Sequence, residues 1–410
     1  MSNTNIVTTA DPCDLAERYR ATRALTCALL DPLSEADVTL QSMEDASPAK
    51  WHLGHTNWFF ETFLLRDHLS GYQLHDARWP FVFNSYYEAE GERIARFSRG
   101  MLSRPTAAQI RDWRSAVDGA MQPLLADPQF ADLINLGIAH EQQHQELLLT
   151  DIKHALFQNP LGPAMFEGSP QETARVDTGQ WHKHPGGIGL IGNDNAGFAF
   201  DNEGPQHQQL LTPFALAPNL VTNGEWQQFI DDGGYSNAAL WLSDGWAWVK
   251  GQNILAPLYW HAEEHFTHQG WQNRGSDAPV THISYYEADA FATWAGNRLP
   301  TEGEWEAVAK NFDPASGNQL DGAGAPLPIG GHDLFGDCWQ FTRSAYLPYP
   351  RFKTADGAIG EYNGKFMSGQ FVLRGASCAT ARGHSRASYR NFFYPHQRWQ
   401  FTGLRLAKDI

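Results

Sequence analysis

No stretch of this 410-residue sequence carries 18 consecutive apolar residues, so no membrane-spanning helix is expected. The opening, MSNTNIVTTADPCDLAERYR, lacks a basic segment followed by an apolar one and does not read as a signal peptide. Cysteine is scarce. Cys13, Cys27, Cys338 and Cys378 are scattered, with no CxxC pair, which argues against a disulfide framework and suits reduced thiols in a cytoplasmic protein. Positive charge is short too: 30 Lys+Arg stand against 46 Asp+Glu, a net charge of −16. Nucleic-acid binding draws its affinity from basic surface, so that class is disfavoured. Internal repeats and low-complexity tracts are missing, so the chain is not a repeat array.

Aromatic residues, by contrast, are abundant: 15 Trp, 13 Tyr and 24 Phe. Such a load fits loop-rich cores and pockets for flat or cationic ligands. The length suggests two or three domains. Residues from about 12 to 158 read as four amphipathic helices, hence an antiparallel bundle. Asp14 is the expected N-cap of the first, with Leu15, Tyr19, Thr22, Leu25 and Leu29 along one side. Ser47 followed by Pro48 reads as a cap and first helical residue of the second. Thr106 opens the third, and the proline-free run Phe130 to Phe157 is the fourth. The aromatic loop 71–104 between the second and third is long enough to be functional. Residues 159–176 are Pro/Gly/Ser-rich and read as a linker, dividing a helical domain, 1–165, from a second domain, 166–410. The second is expected to be α+β with much irregular backbone and short helices at 223–230 and 284–294.

The chemistry concentrates at His140-Glu141-Gln142-Gln143-His144. On a helix, residues four apart share a face, so His140 and His144 can bind one metal ion, with Gln143 beside them. A third ligand must come from elsewhere. His52 and His55 lie three apart on the second helix, so only one need aim at the core; His55, between Trp51, Trp58 and Phe59, is the better candidate. The same five residues also fit HExxH, the zinc-protease helix in which the glutamate is the general base. By ligand type, three neutral imidazoles suit zinc hydrolysis and ferrous oxygen chemistry about equally.

Further motifs bear on that choice. Val221-Thr222-Asn223-Gly224-Glu225, Arg298-Leu299-Pro300-Thr301-Glu302-Gly303-Glu304-Trp305-Glu306, Leu373-Arg374-Gly375-Ala376-Ser377 and Gly403-Leu404-Arg405-Leu406 resemble the formylglycine-generating-enzyme, or sulfatase-modifying-factor, domain, which has a C-type-lectin-like fold. Taken singly, such Arg/Glu/Trp clusters usually hold a loop-rich core together. Ser47-Pro48-Ala49-Lys50-Trp51-His52-Leu53-Gly54-His55, Phe83 to Ala89, His140 to Asp151, Asp201 to Pro205, Trp241 to Trp246 and Tyr389 to Pro395 complete the pattern. A DinB-like helical bundle fused before that domain resembles the ergothioneine-biosynthesis sulfoxide synthases and the related selenoneine synthases.

The resemblance implies a mononuclear non-haem iron(II), Fe(2+), held by His55, His140 and His144. It implies O2-dependent joining of a thiol or selenol donor to C2 of the imidazole of hercynine (Nα-trimethylhistidine). Tyr86 and Tyr87 match tyrosines that donate a proton or hydrogen atom. Gln143 matches a residue that bonds the hercynine imidazole; Asn391 and Phe392 match positions that hold hercynine by an amide hydrogen bond and an aromatic face. Arg96 and Arg99 match arginines that hold the donor's carboxylate. Departures bear on the donor. Phe393 and Gln397 stand where members using γ-glutamylcysteine carry Asp and Arg. Gln340, Ser368-Gly369-Gln370 and Ala376 replace residues usual in members using cysteine, which would leave a roomier, more neutral pocket. A selenosugar donor is thereby favoured narrowly over cysteine. Formylglycine generation itself is discounted, because Cys378 lacks the second cysteine that activity needs. The competing classes are a zinc hydrolase and a sugar-binding or scaffold protein.

Overall fold

The structure, a computed structural model, describes residues 12–168, 179–330, 333–354 and 364–410. Four bundle helices are present: Pro12–Leu30, Ala49–Phe60, Ala107–Ala120 and Ala131–Phe157. No helix among the described residues is long and apolar enough to cross a membrane. Thr106 caps the third helix in a reciprocal capping box with Gln109. The other two expected caps are displaced. Asp14 sits inside the first turn of a helix that begins at Pro12. Pro48, not Ser47, is the N-cap of the second helix. Ser47 is used for tertiary contacts instead: its N–H donates to Asp151 at 2.8 Å, and its hydroxyl accepts from Arg99 at 2.9 Å.

The second helix is buried along its whole length and continues as a π-helix, Glu61–Arg66. Glu61 Oε1 accepts from Tyr72 Oη, the His75 N–H and Trp113 Nε1 at 2.8–3.0 Å. The long loop carries a short helix, Trp79–Phe83, whose aromatic side chains pack against Trp113.

Of the expected linker, residues 169–176 lie outside the described residues. Met165 and Phe166, which flank the expected domain boundary, both donate backbone hydrogen bonds to the His268 carbonyl.

The second half is α+β. Its central sheet has the strand order Asn391–Phe393, Phe371–Arg374, Trp339–Ala345, Thr402–Gly403. The first two pairings are antiparallel and the last is parallel. His182–His184 and Ala407–Asp409 flank Phe214–Leu216 in another sheet, which brings the start and end of the domain together. Helices Asn223–Asp231 and Tyr285–Trp294 fall where expected, each with a capping box. Ser243–Gln252 and Glu302–Ala309 are additional helices, too short to show a clear apolar period. The Arg/Glu/Trp motifs do hold the core. Arg374 and Arg390 both pair with Glu302, at 2.8 and 2.9 Å, and the buried Trp305 indole donates to Gln340.

The two halves meet along Ala131–Phe157, and helical periodicity divides that helix into faces. Glu141, Gln145, Leu148 and Ile152 look toward the first bundle helix or the core beside it; Glu141 and Gln145 bond Thr26. His140, His144 and Asp151 look toward the second, meeting His55 and His52. Gln142, Gln143, Glu146, Leu149 and Lys153 reach the C-terminal domain. Their partners are His384, Tyr389, the trio Trp339, Ser377 and Thr380, His268, and His282.

Close approach of the second and fourth helices requires Gly137. A Cβ there would lie 2.6 Å from the Phe60 ring. Overpacking of this kind costs about 1–3 kcal/mol, partly offset by about 1 kcal/mol of helix propensity. Gly137→Ala is therefore expected to lower stability by up to about 2 kcal/mol, read as a fall in the urea midpoint with the slope unchanged.

Candidate metal centre and adjoining cavity

His55, His140 and His144 converge. One nitrogen from each lies within 4.8 Å of the others, and all three residues are buried. Their ring centroids are 4.6–4.9 Å apart. His55 lies between two stacked indoles, Trp51 at 4.7 Å and Trp58 at 5.5 Å. Its Nδ1 is 2.6 Å from the Phe83 carbonyl oxygen. A carbonyl only accepts, so Nδ1 carries the proton and Nε2 presents a lone pair. That Nε2 is 3.2 Å from His140 Nε2. Two nitrogens each about 2.1 Å from a common ion lie roughly 3–3.5 Å apart, so the spacing fits a shared metal.

Burial disfavours the charged form of all three rings. It pushes the pKa of His140 down to about 3 and those of His55 and His144 well below the ordinary value, with the neighbouring imidazoles adding to the shift for His55 and His144. The donors are thus neutral at physiological pH and ready to bind a cation. No carboxylate joins them among the described residues.

Glu141 corrects the hydrolase reading. It points away from the triad into a buried ion-pair network: Oε1 accepts from Arg114 at 2.5 Å and Thr26 at 2.6 Å, and Oε2 from Arg23 at 3.2 Å. Burial alone would raise its pKa, but Arg114 and Arg23 hold it at about 2. A carboxylate so engaged cannot act as a general base at the triad. Helical geometry is the reason, since residue i+1 lies about 100° around the axis from the ligand face.

Gln143 faces the C-terminal domain, where its Nε2 donates to Tyr389 Oη at 2.6 Å. Gln143, Asn391 and Phe392 line one cavity of about 150 Å³ together with Trp339 and Tyr389. Phe392 stacks on Tyr346 at 4.1 Å, and Asn391 Oδ1 accepts from the Phe392 N–H. The cavity therefore has a carboxamide at the ligand-bearing turn and an aromatic wall opposite.

The loop residues separate. Tyr87 is buried, its ring 5.3 Å from Trp58, the indole stacked on His55. Tyr86 is half-buried and bridges to the C-terminal domain, edge-on to Phe366 at 5.0 Å with Lys365 bonded to its carbonyl. Arg99 turns inward. It lies 3.4 Å over the Trp51 ring and donates to Ser47 and Ser85. Burial, then Arg96, lowers its pKa to about 9, and its Nε has no hydrogen-bond partner among the described residues. Arg96 is 4.0 Å from Asp45 and 5.9 Å over the Tyr86 ring. Neither arginine lines the cavity.

Two of the sequence departures lie away from this cavity. Gln340 is buried between Trp305, Arg405 and the Leu334 carbonyl, and Gln370 donates to the Phe366 carbonyl. Neither shapes the cleft as their positions suggested. Gln397 bonds Asp45 across the domain boundary at 3.3 Å.

Sequence reasoning also passed over His52. It is as buried as His55, and its Nδ1 is 2.8 Å from His144 Nδ1. Asp151, seven residues after His144 and so on the same helical face, was the available signal.

Comparison with known proteins agrees with both halves. Residues 168–319 match the sulfatase-modifying factor enzyme 1-like domain, and residues 18–148 match the DinB superfamily. A hercynine oxygenase of Mycobacterium tuberculosis is 32% identical over 97% of this chain and 99% of its own. One of Mycolicibacterium thermoresistibile is 33% identical over 97% and 95%. Ergothioneine biosynthesis protein 1 of Schizosaccharomyces pombe is 27% identical over 52% of this chain and 28% of its own.

Glu141→Ala leaves Arg23 and Arg114 short of their shared counter-charge. Removing one partner of a buried ion pair costs about 3–5 kcal/mol. Guanidinium unfolding is expected to show a loss of that size; a change under 1 kcal/mol would show that Glu141 is not a structural anchor.

Proposed function

This chain belongs to the hercynine oxygenase family of oxidoreductases, and from that premise we propose that it is an iron(II)-dependent enzyme that couples a selenol or thiol donor to C2 of the hercynine imidazole at the expense of O2. With a thiol, the C2–H and S–H bonds break and a C–S bond forms. One oxygen atom ends on sulfur and the other leaves in water. The observation that carries this reading is the junction of the two halves. Three buried neutral imidazoles, with no carboxylate among the described residues, come from two facing helices, and the turn that carries His140 and His144 also carries Gln143, which lines an aromatic cavity.

His55, His140 and His144 would hold the iron. Bound there, it supplies redox access to O2 and acidifies a coordinated thiol or selenol. The chain's own residues do the rest. The Phe83 carbonyl fixes the orientation of His55. Gln143 and Asn391 offer carboxamides to the substrate imidazole and backbone. The Phe392 ring offers a π-face to the trimethylammonium. Confining both substrates at one centre replaces a three-body encounter with a local one. Tyr87, in the aromatic layer beside His55, is the proposed proton or hydrogen-atom donor, and Tyr86 secures the loop to the C-terminal domain. Reduced Cys27, Cys338 and Cys378 are compatible with a cytoplasmic enzyme.

A selenosugar is the proposed donor, narrowly over cysteine; Phe393 and Gln397 stand where an acidic and a basic side chain would select γ-glutamylcysteine, so that donor is disfavoured. One observation favours a second reading, cysteine. Among the described residues, no carboxylate pairs with the buried Arg99 guanidinium, so a donor carboxylate would relieve an uncompensated charge.

The test is to incubate the Fe(II)-loaded protein and O2 with hercynine and, in separate reactions, a selenosugar, cysteine or γ-glutamylcysteine, and to weigh the products. A coupled C2 adduct with one donor is expected; O2 uptake without hercynine dependence would overturn the reading. His144→Ala should abolish iron loading and turnover together. Tyr87→Phe should divert O2 from coupling toward simple oxidation of the donor. An unchanged product ratio would remove that tyrosine from the chemistry.

A further inference from the structure

His144 differs from His55 in what orients it. His55 is fixed by a nearby carbonyl, whereas His144 is fixed by a chain of groups that ends in the other domain. Asp151 heads this chain. Its Oδ1 accepts from Trp399 Nε1 at 3.0 Å. Its Oδ2 accepts from the Ser47 N–H at 2.8 Å and lies 3.1 Å from His52 Nε2. His52 Nδ1 is in turn 2.8 Å from His144 Nδ1. Every member is buried.

We propose that Trp399, Asp151 and His52 form a relay that positions His144 as a metal ligand, so that docking of the C-terminal domain and metal affinity are linked. The inference rests on the metal reading of the triad and goes beyond it. A carboxylate only accepts hydrogen bonds, so His52 Nε2 carries a proton. With that proton committed to the carboxylate, the neutral imidazole presents Nδ1 as a bare acceptor. The 2.8 Å contact then requires a proton on His144 Nδ1, and His144 Nε2 is left as the lone pair facing His55 and His140. Reversing any bond in the chain puts a proton on that lone pair, and the ligand is lost. Groups that orient a ligating histidine in this way are worth roughly 10–100-fold in metal affinity.

The involvement of Trp399 sets this relay apart from a contact within one domain. The indole comes from the C-terminal domain, 248 residues away in sequence, and it holds the carboxylate that sets the His144 tautomer. Linkage is reciprocal, so whatever Trp399 contributes to metal affinity, the metal returns to docking.

The experiment titrates the full-length metal-free protein with Co(II) under chelator competition and records the d–d bands, which report coordination number. His144→Ala controls for the triad itself. His52→Leu, which has no acceptor, should bind at least tenfold more weakly with altered bands. His52→Asn, which returns an acceptor near the Nδ1 position, should stay within about threefold of wild type. Trp399→Phe keeps the ring and removes the N–H; a loss of about tenfold is expected, and this variant carries the test if His52→Leu does not fold. Wild-type affinity in Trp399→Phe or His52→Leu, with His144→Ala defective, would overturn the relay and leave the triad standing. Equal losses in His52→Asn and His52→Leu would also overturn it, since packing alone would then explain both. Undiminished binding in His144→Ala would overturn the metal reading itself.

Discussion

A helix carrying polar side chains on every side can be buried only if each of them meets a partner, because an unpaired buried donor or acceptor costs about 1–3 kcal/mol. Helix Ala131–Phe157 comes close to that condition against three neighbours at once, with Gln145 Oε1 unpaired among the described residues. Glu141 is neutralised by two arginines, and Gln145 bonds the Thr22 carbonyl and Thr26 hydroxyl. Glu146 accepts from Trp339, Ser377 and Thr380. The bundle and the C-terminal domain are therefore joined through side chains that neither could leave buried alone.

This arrangement divides labour at the site. The bundle supplies three imidazoles on two facing helices, where backbone hydrogen bonds are already satisfied and side-chain positions are rigid. The C-terminal domain supplies the aromatic wall from strand Asn391–Phe393 and the indoles that reach back to the bundle. The cavity exists only where the two meet. A cluster of histidines on facing bundle helices is a common arrangement; this one is distinguished by the domain laid over it.

The electrostatics are graded. The triad is neutral because burial removes charge from imidazole. On another face of the same helix, charges persist because they are paired, as in Glu141 with Arg23 and Arg114. Arg99 lies between these cases: it is buried and charged, with an indole face and two serine hydroxyls as its neighbours. Among the described residues no carboxylate pairs with its guanidinium, which lies against the indole that stacks on His55.

The residues alone determined the four bundle helices, the shared face of His140 and His144, the two-part architecture and, through its motifs, the family. Apolar period and capping chemistry are local, and so are motif spacings. Three-dimensional packing decided the rest. Periodicity shows which residues share a face but not what that face meets. Glu141 could be read as a base until Arg23 and Arg114 were seen around it, and His52 as a bystander until Asp151 and Trp399 stood behind it. Gln340 could be placed in the cleft until the Trp305 indole claimed it. Each of those outcomes rests on hydrogen-bond partners tens to hundreds of residues away, brought to 3.2 Å or closer by folding and by nothing in the local sequence.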